Sequence, residues 1–113
     1  MNIFSPNDGR FIQKSEAKEL CQKFRNANPN HVVSQYFGRN KLEEILSQDN
    51  LIGIRIYYAQ EDHPGQNEPE PHLVIVGVDN NDYDMLDSDN GDQILQFSVP
   101  CPPSCPPPES ETL

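Results

Sequence analysis

The sequence predicts an α+β fold, with two short N-terminal helices packed on a three- or four-stranded antiparallel meander and a proline-rich tail behind it. Three observations lead there. Apolar residues recur at helical spacing in two segments before residue 50, and the period changes to two from Leu51 onward. The end of the chain is too rich in proline to continue either element. The length, 113 residues with 35% hydrophobic and no tryptophan, suits one modest core. A single domain is therefore expected over residues 1–105, with residues 106–113 as an exposed tail.

The first helix is expected in "SEAKELCQKFRNANP". Ala17, Leu20, Cys21 and Phe24 fall at i, i+3, i+4 and i+7 as one apolar stripe, Ser15 is the expected cap, and Pro29 ends the segment. Cys21 is thereby expected on the buried face, as a small hydrophobe rather than a nucleophile. "HVVSQYFGR" reads equally as a short extended segment or a turn of helix. "NKLEEILSQDN" is the second helix, with Asn40 and Glu43 in a capping-box pattern and Leu42, Ile45 and Leu46 as its stripe.

"LIGIRIYYA" alternates, with Ile52, Ile54, Ile56 and Tyr58 on one face and Gly53, Arg55 and Tyr57 on the other. "HLVIVGVD" is apolar on both faces, the pattern of a central strand covered on both sides. Between them "QEDHPGQNEPEP" holds twelve polar residues, three of them proline, too long for a tight hairpin and expected as a surface or binding loop. "YDML" and "QILQFSV" flank "DSDNGD". The Asn90-Gly91 pair favours a type I′ turn that sets Asp89 opposite Asp92 and Leu86 opposite Leu95. Opposed aspartates repel, so that register needs both solvated or a shared cation.

"YFGRNKLEEILSQDNLIGIRIYYA" (36–59), "LVIVGVDNNDYDM" (73–85) and "VPCPPSC" (99–105) together resemble a family of small uncharacterised Bacteroidetes proteins. The resemblance runs from Phe11 to Cys105. It implies a compact domain and brings no activity, cofactor or site residue with it.

Charge is the strongest pointer to function. The net charge is −10, and all eight basic residues lie at or before Arg55; residues 56–113 hold twelve acids and no base. Such a surface repels phosphate backbones and anionic lipid, so neither nucleic acid nor a membrane surface is an expected partner. A basic protein partner or a cation would suit it, and an acidic surface that serves only solubility is the plain alternative. "MNIFSPNDGRFIQ" lacks the apolar core of a signal peptide, "LVIVGV" is too short to cross a bilayer, and three cysteines suit a reducing compartment, so a cytoplasmic location is expected.

No standard catalytic signature is present: no G-x-S-x-G, H-E-x-x-H or glycine-rich phosphate loop. Six aspartates between Asp79 and Asp92 invite a calcium reading, but the EF-hand spacing fails. Counted from Asp87, glycine falls at the fifth place and Ser98 at the twelfth, where a bidentate glutamate is needed. His63 and His72, with Glu61, Asp62, Glu68 and Glu70 around them, form a weaker transition-metal pattern.

"SVPCPPSCPPPES" is the remaining candidate. A straight polyproline stretch would hold the Cα atoms of Cys101 and Cys105 about 12 Å apart, whereas a disulfide needs less than about 7 Å. A turn over Pro102–Cys105 would bring the pair together, leaving a disulfide, a metal-bound pair or a simple tight turn all open. Zinc would need two further ligands that no second C-x-x-C supplies.

The leading expectation is a non-enzymatic protein-interaction module of accessory, inhibitor or immunity type, with no cofactor. Its partner-binding residues would be Glu61, Asp62, Asp82, Asp84, Asp87, Asp89 and Asp92. The alternative is a small metal- or redox-linked domain using Cys101 and Cys105. An enzyme with an unfamiliar site would place a concave pocket near Arg55, Tyr57 and His72.

Overall fold

The computed structural model describes residues 2–62, 70–87, 93–96 and 98–113. The elements run α1 (Lys14–Ala27), β1 (Ser34–Tyr36), α2 (Arg39–Leu46), β2 (Leu51–Glu61), β3 (Glu70–Asp79) and β4 (Val99–Cys101). The fold is α+β as expected, but the described strands form two two-stranded sheets, β1–β4 and β2–β3, and not a single meander. Two compact units result: Met1–Asp8 with Phe37–Ser98, and Gly9–Tyr36 with Val99–Leu113.

The first unit is built on the β2–β3 hairpin, antiparallel from Leu51↔Asp79 to Glu61↔Glu70 with one irregularity between Leu51 and Gly53. Strand pairing thus runs further into the expected loop than the alternation indicated. β3 carries most of the core: Ile75, Val76 and Val78 are buried, on both faces of the strand. That is the burial its two-sided apolar sequence predicts. Its outer edge is used piecemeal. Asp79 N donates to Tyr83 O and Met85 N to Gly77 O, while Leu95 exchanges both backbone hydrogen bonds with Ile75.

This explains why the meander fails. "YDML" and the start of "QILQFSV" satisfy the same edge of β3 one after the other, so Leu95 faces Ile75 instead of Leu86. The Asn90-Gly91 turn itself, with Asp89 and Asp92, lies outside the described residues. So does Phe97.

α2 packs Ile45 into this unit as its one buried residue. Its cap is Gly38 and makes no side-chain hydrogen bond, so the Asn40 capping box does not form. An Arg39–Glu43 pair one turn apart stands on the exposed side. Gly77 lies under the end of the α2–β2 connection. A Cβ there would come within 2.8 Å of Leu51 Cδ1 and 2.9 Å of Gln48 Nε2, so any larger residue would have to push these side-chain ends aside. The apolar row of β2 is largely uncovered: Ile54, Ile56 and Tyr58 are exposed, Tyr58 at 94%.

In the second unit, β1 and β4 pair over Ser34↔Cys101, Gln35↔Pro100 and Tyr36↔Val99. Val33 N adds a bond to Cys101 O at 2.8 Å. Helix α1 starts at Lys14 with Gln13 as cap, so Ser15 lies inside the helix and does not cap it. The expected stripe is present but α1 has no buried residue, and Cys21 is half-buried. The reason is the layer above it: Leu20 and Phe24 face residues 106–113, an exposed single strand of chain. Phe24 also meets the edge of the His31 ring, with centroids 5.5 Å apart. No described helix is long and apolar enough to cross a membrane.

Candidate functional site

The turn after β3 positions the acidic residues. Asp79 Oδ1 accepts from Asn81 N at 2.9 Å and from Tyr83 N at 3.0 Å, an Asx-type closure of the backbone. Asp82 takes a left-handed φ of 68°, which a short polar side chain tolerates. The chain then returns along β3 with Asp84 opposite Val78.

That register puts Asp84 on the face of Arg55 and Tyr57, because Arg55 pairs with Val76 and Tyr57 with Val74. Arg55 and Tyr57 reach across β3 to it: the guanidinium pairs with Asp84 Oδ1, and the Tyr57 hydroxyl donates to Asp84 Oδ2. Two strand spacings, about 9.5 Å, are bridged this way. Both side chains of the ion pair are largely covered, and Val76 lies among the register partners of the network at 1% exposure. The Phe4 ring lies under the guanidinium, 4.8 Å from ring centroid to Cζ. The hydrogen bond to Asp84 is the main reason the Tyr57 hydroxyl titrates above its ordinary value, with desolvation and the Asp84 charge adding and Arg55 opposing. The group therefore acts as a donor that holds a carboxylate in place.

Asp82 is similarly occupied. Its Oδ2 accepts from Ile3 N at 2.8 Å, while Oδ1 is buried without a hydrogen-bond partner among the described residues. Asn2 also donates to Asn80 O. Residues 2–4 are thus tied to the acidic turn. Two of the expected partner-binding acids, Asp82 and Asp84, serve inside the unit as anchors.

Glu61 and Asp62 lie at the other end of the hairpin. Glu61 pairs across from Glu70, and buried His72 places its Nε2 3.2 Å from Glu61 and 3.7 Å from Glu70, without hydrogen-bond geometry. His72 shares the face of Arg55 and Tyr57, two paired positions beyond Tyr57. Asp62 and Asp87 are exposed. Asp89, Asp92, His63 and Glu68 are outside the described residues. Among the described residues no group of three or more His, Cys, Asp or Glu is arranged to hold a metal ion.

Cys101 and Cys105 form a disulfide with their Cα atoms 4.7 Å apart. In this state neither sulfur is a thiolate available to a metal. The turn that closes the pair lies one step earlier than the spacing suggested, with Ser104 N donating to Pro100 O at 3.0 Å. Cys101–Pro102 and Pro102–Pro103 are cis.

A cavity of about 860 Å³ lies in the same unit, between α1, β1 and residues 105–113, with Cys21 and both disulfide cysteines on its wall. Lys14 and Lys18 both pair with Glu111, at 2.7 and 3.1 Å, and Arg25 donates to Leu113 O at 2.8 Å. These clasps and the role of Phe4 escaped the sequence reading. The signal for the first was present in the sequence as five basic residues from Arg10 to Arg25 and a tail whose charged residues are both acids; three of the five, Lys14, Lys18 and Arg25, meet that tail. Nothing in "NIF" announces the second. Compared with family models, curated proteins and solved structures, the chain matches none.

Proposed function

We propose that the protein is a non-enzymatic interaction module whose acidic unit docks a basic protein partner, as accessory, inhibitor or immunity-type proteins do. The observation that carries this is the partition of charge. The residues of the Met1–Asp8 and Phe37–Ser98 unit include fourteen acids and three bases, net −11, while the other unit has four acids and five bases. Asp82 and Asp84 fix the shape of the acidic unit through Ile3, Arg55 and Tyr57. Asp62 and Asp87 are exposed and join Glu61, Asp89 and Asp92 in supplying the field that attracts a cationic surface. Exposed Ile54, Ile56 and Tyr58 supply apolar contact area, Tyr58 being the kind of residue that anchors interfaces.

The test is capture of partners on the immobilised chain at low and high salt. A bound basic protein that loses most of its affinity between about 50 and 500 mM salt, and loses it at any salt when Asp62 and Asp87 become lysine, supports the reading. Binding that ignores both salt and these substitutions refutes it. The disulfide favours a second, redox-linked role for Cys101 and Cys105 over a metal-linked one.

A further inference from the structure

Within the Gly9–Tyr36 and Val99–Leu113 unit, residues 106–113 lie back along α1 as a strap. Lys14, Lys18 and Arg25 fall on one side of the helix at 100° per residue, beside the stripe of Leu20, Cys21 and Phe24. The strap meets both rows. Pro106–Pro108 and Leu113 line the cavity against Leu20 and Phe24, while Glu111 is held by Lys14 and Lys18. Those two lysines, through hydrogen bonds first and the charge of Lys18 second, hold the Glu111 carboxyl below its ordinary range. The strap does not seal what it crosses: Leu20 and Phe24 keep 52% and 44% of their exposure.

We propose that α1 carries a recognition groove for a proline-rich segment bearing an acidic residue, that residues 106–113, turned between Pro107 and Ser110, fill it from within the chain, and that the Cys101–Cys105 disulfide gates it. The groove has the parts this ligand needs: an apolar floor for proline rings and a cationic row for one carboxylate. Its occupant in trans is such a segment of another protein. A second copy of this chain is disfavoured, since exchange of identical straps gains no contact and brings together two chains of net charge −10.

The gate follows from where the two cysteines are held. Cys101 is buried on β4, its carbonyl bonded to Val33 N, whereas Cys105 is exposed to a reductant. A dithiol reductant breaks the S–S bond and takes up the oxidation as its own disulfide, and each protein sulfur leaves with one proton. Reduction removes the bond that holds the Cα atoms of Cys101 and Cys105 4.7 Å apart, and Cys105, where the strap begins, is then tied to β4 only through the backbone between them. With that anchor gone, Glu111 leaves the Lys14–Lys18 pair at less cost.

The experiment is fluorescence anisotropy of a dye-labelled peptide, PPPESETL, titrated with the full chain oxidised, reduced by dithiothreitol, and as Glu111→Lys. The expected result is at least tenfold tighter binding to the reduced chain than to the oxidised one. Tightened binding is expected for oxidised Glu111→Lys too, whose own strap is repelled. Binding should be lost in reduced Lys14→Glu/Lys18→Glu with its circular dichroism unchanged. Equal affinity in both redox states overturns the gate. No binding in any state, or full binding to the charge-reversed helix, overturns the groove. A reduced chain that sediments as a dimer without peptide assigns the groove to a second copy and overturns the trans partner proposed.

Discussion

Ile45→Ala tests what holds the acidic unit together. α2 has eight residues, too few to persist as an isolated helix, so it depends on being packed. Ile45 is its one buried side chain, at 2% exposure. Alanine removes three carbons, worth about 2.4 kcal/mol at about 0.8 kcal/mol each. A residual void of about 40 Å³ adds about 1 kcal/mol at about 24 cal/mol per Å³. The expected loss is therefore about 3 kcal/mol, a large share of the roughly 5–15 kcal/mol a small domain holds. Urea unfolding followed by far-ultraviolet circular dichroism reads it as a midpoint lowered by about 1–3 M, at unchanged slope. Leu46→Ala, next in the chain and 55% exposed, is the control, with a change within about 0.5 kcal/mol. An Ile45→Ala loss below about 1 kcal/mol, or one matched by Leu46→Ala, would show that α2 is not anchored by this contact.

Two pH titrations probe the two clasps. The chain has four tyrosines and no tryptophan, so absorbance near 295 nm reports the phenols alone. One of them should ionise above the ordinary 10.0, and Asp84→Asn should bring it down. Because the Tyr57 value is raised, its stabilising bond is complete below pH 10 and is lost as pH rises through the raised value. The Glu111 value is depressed instead, so the strap's ion pairs are complete above the ordinary 4.5 and are lost as pH falls through the lowered value. Carboxyl chemical shifts of Glu111 should show that lowered midpoint, and Lys14→Ala/Lys18→Ala should return it to the ordinary range.

The parts of this fold that could be read from the sequence are those decided within one element. The period change at Leu51 located β2, and the two-sided apolar run located β3 with its burial on both faces. What failed depended on competition between segments. Asn90-Gly91 is a strong local turn signal, yet the strand edge of β3 takes both flanking segments in series, through Tyr83, Met85 and Leu95. Ser15 and Asn40 are good caps in isolation, but each helix begins two residues sooner than its cap requires. The acidic residues were legible as charge, not as contacts. Nothing in the spacing of Arg55, Tyr57 and Asp84 shows that β3 lies between them.

The distribution of charge has a consequence that the total conceals. A net −10 predicts one kind of partner, a basic one, for the whole chain. The charge instead belongs to one unit, and the other carries a cationic row, Lys14, Lys18 and Arg25, already engaged by Glu111 and Leu113 O. An exposed ion pair of this kind contributes little to stability. Its value is selectivity: three cations beside an apolar stripe discriminate an acidic proline-rich segment from a neutral one. Salt separates the two surfaces experimentally. Both weaken as salt rises, but only the α1 groove should also respond to the oxidation state of Cys101 and Cys105, and only the acidic unit to reversal of Asp62 and Asp87.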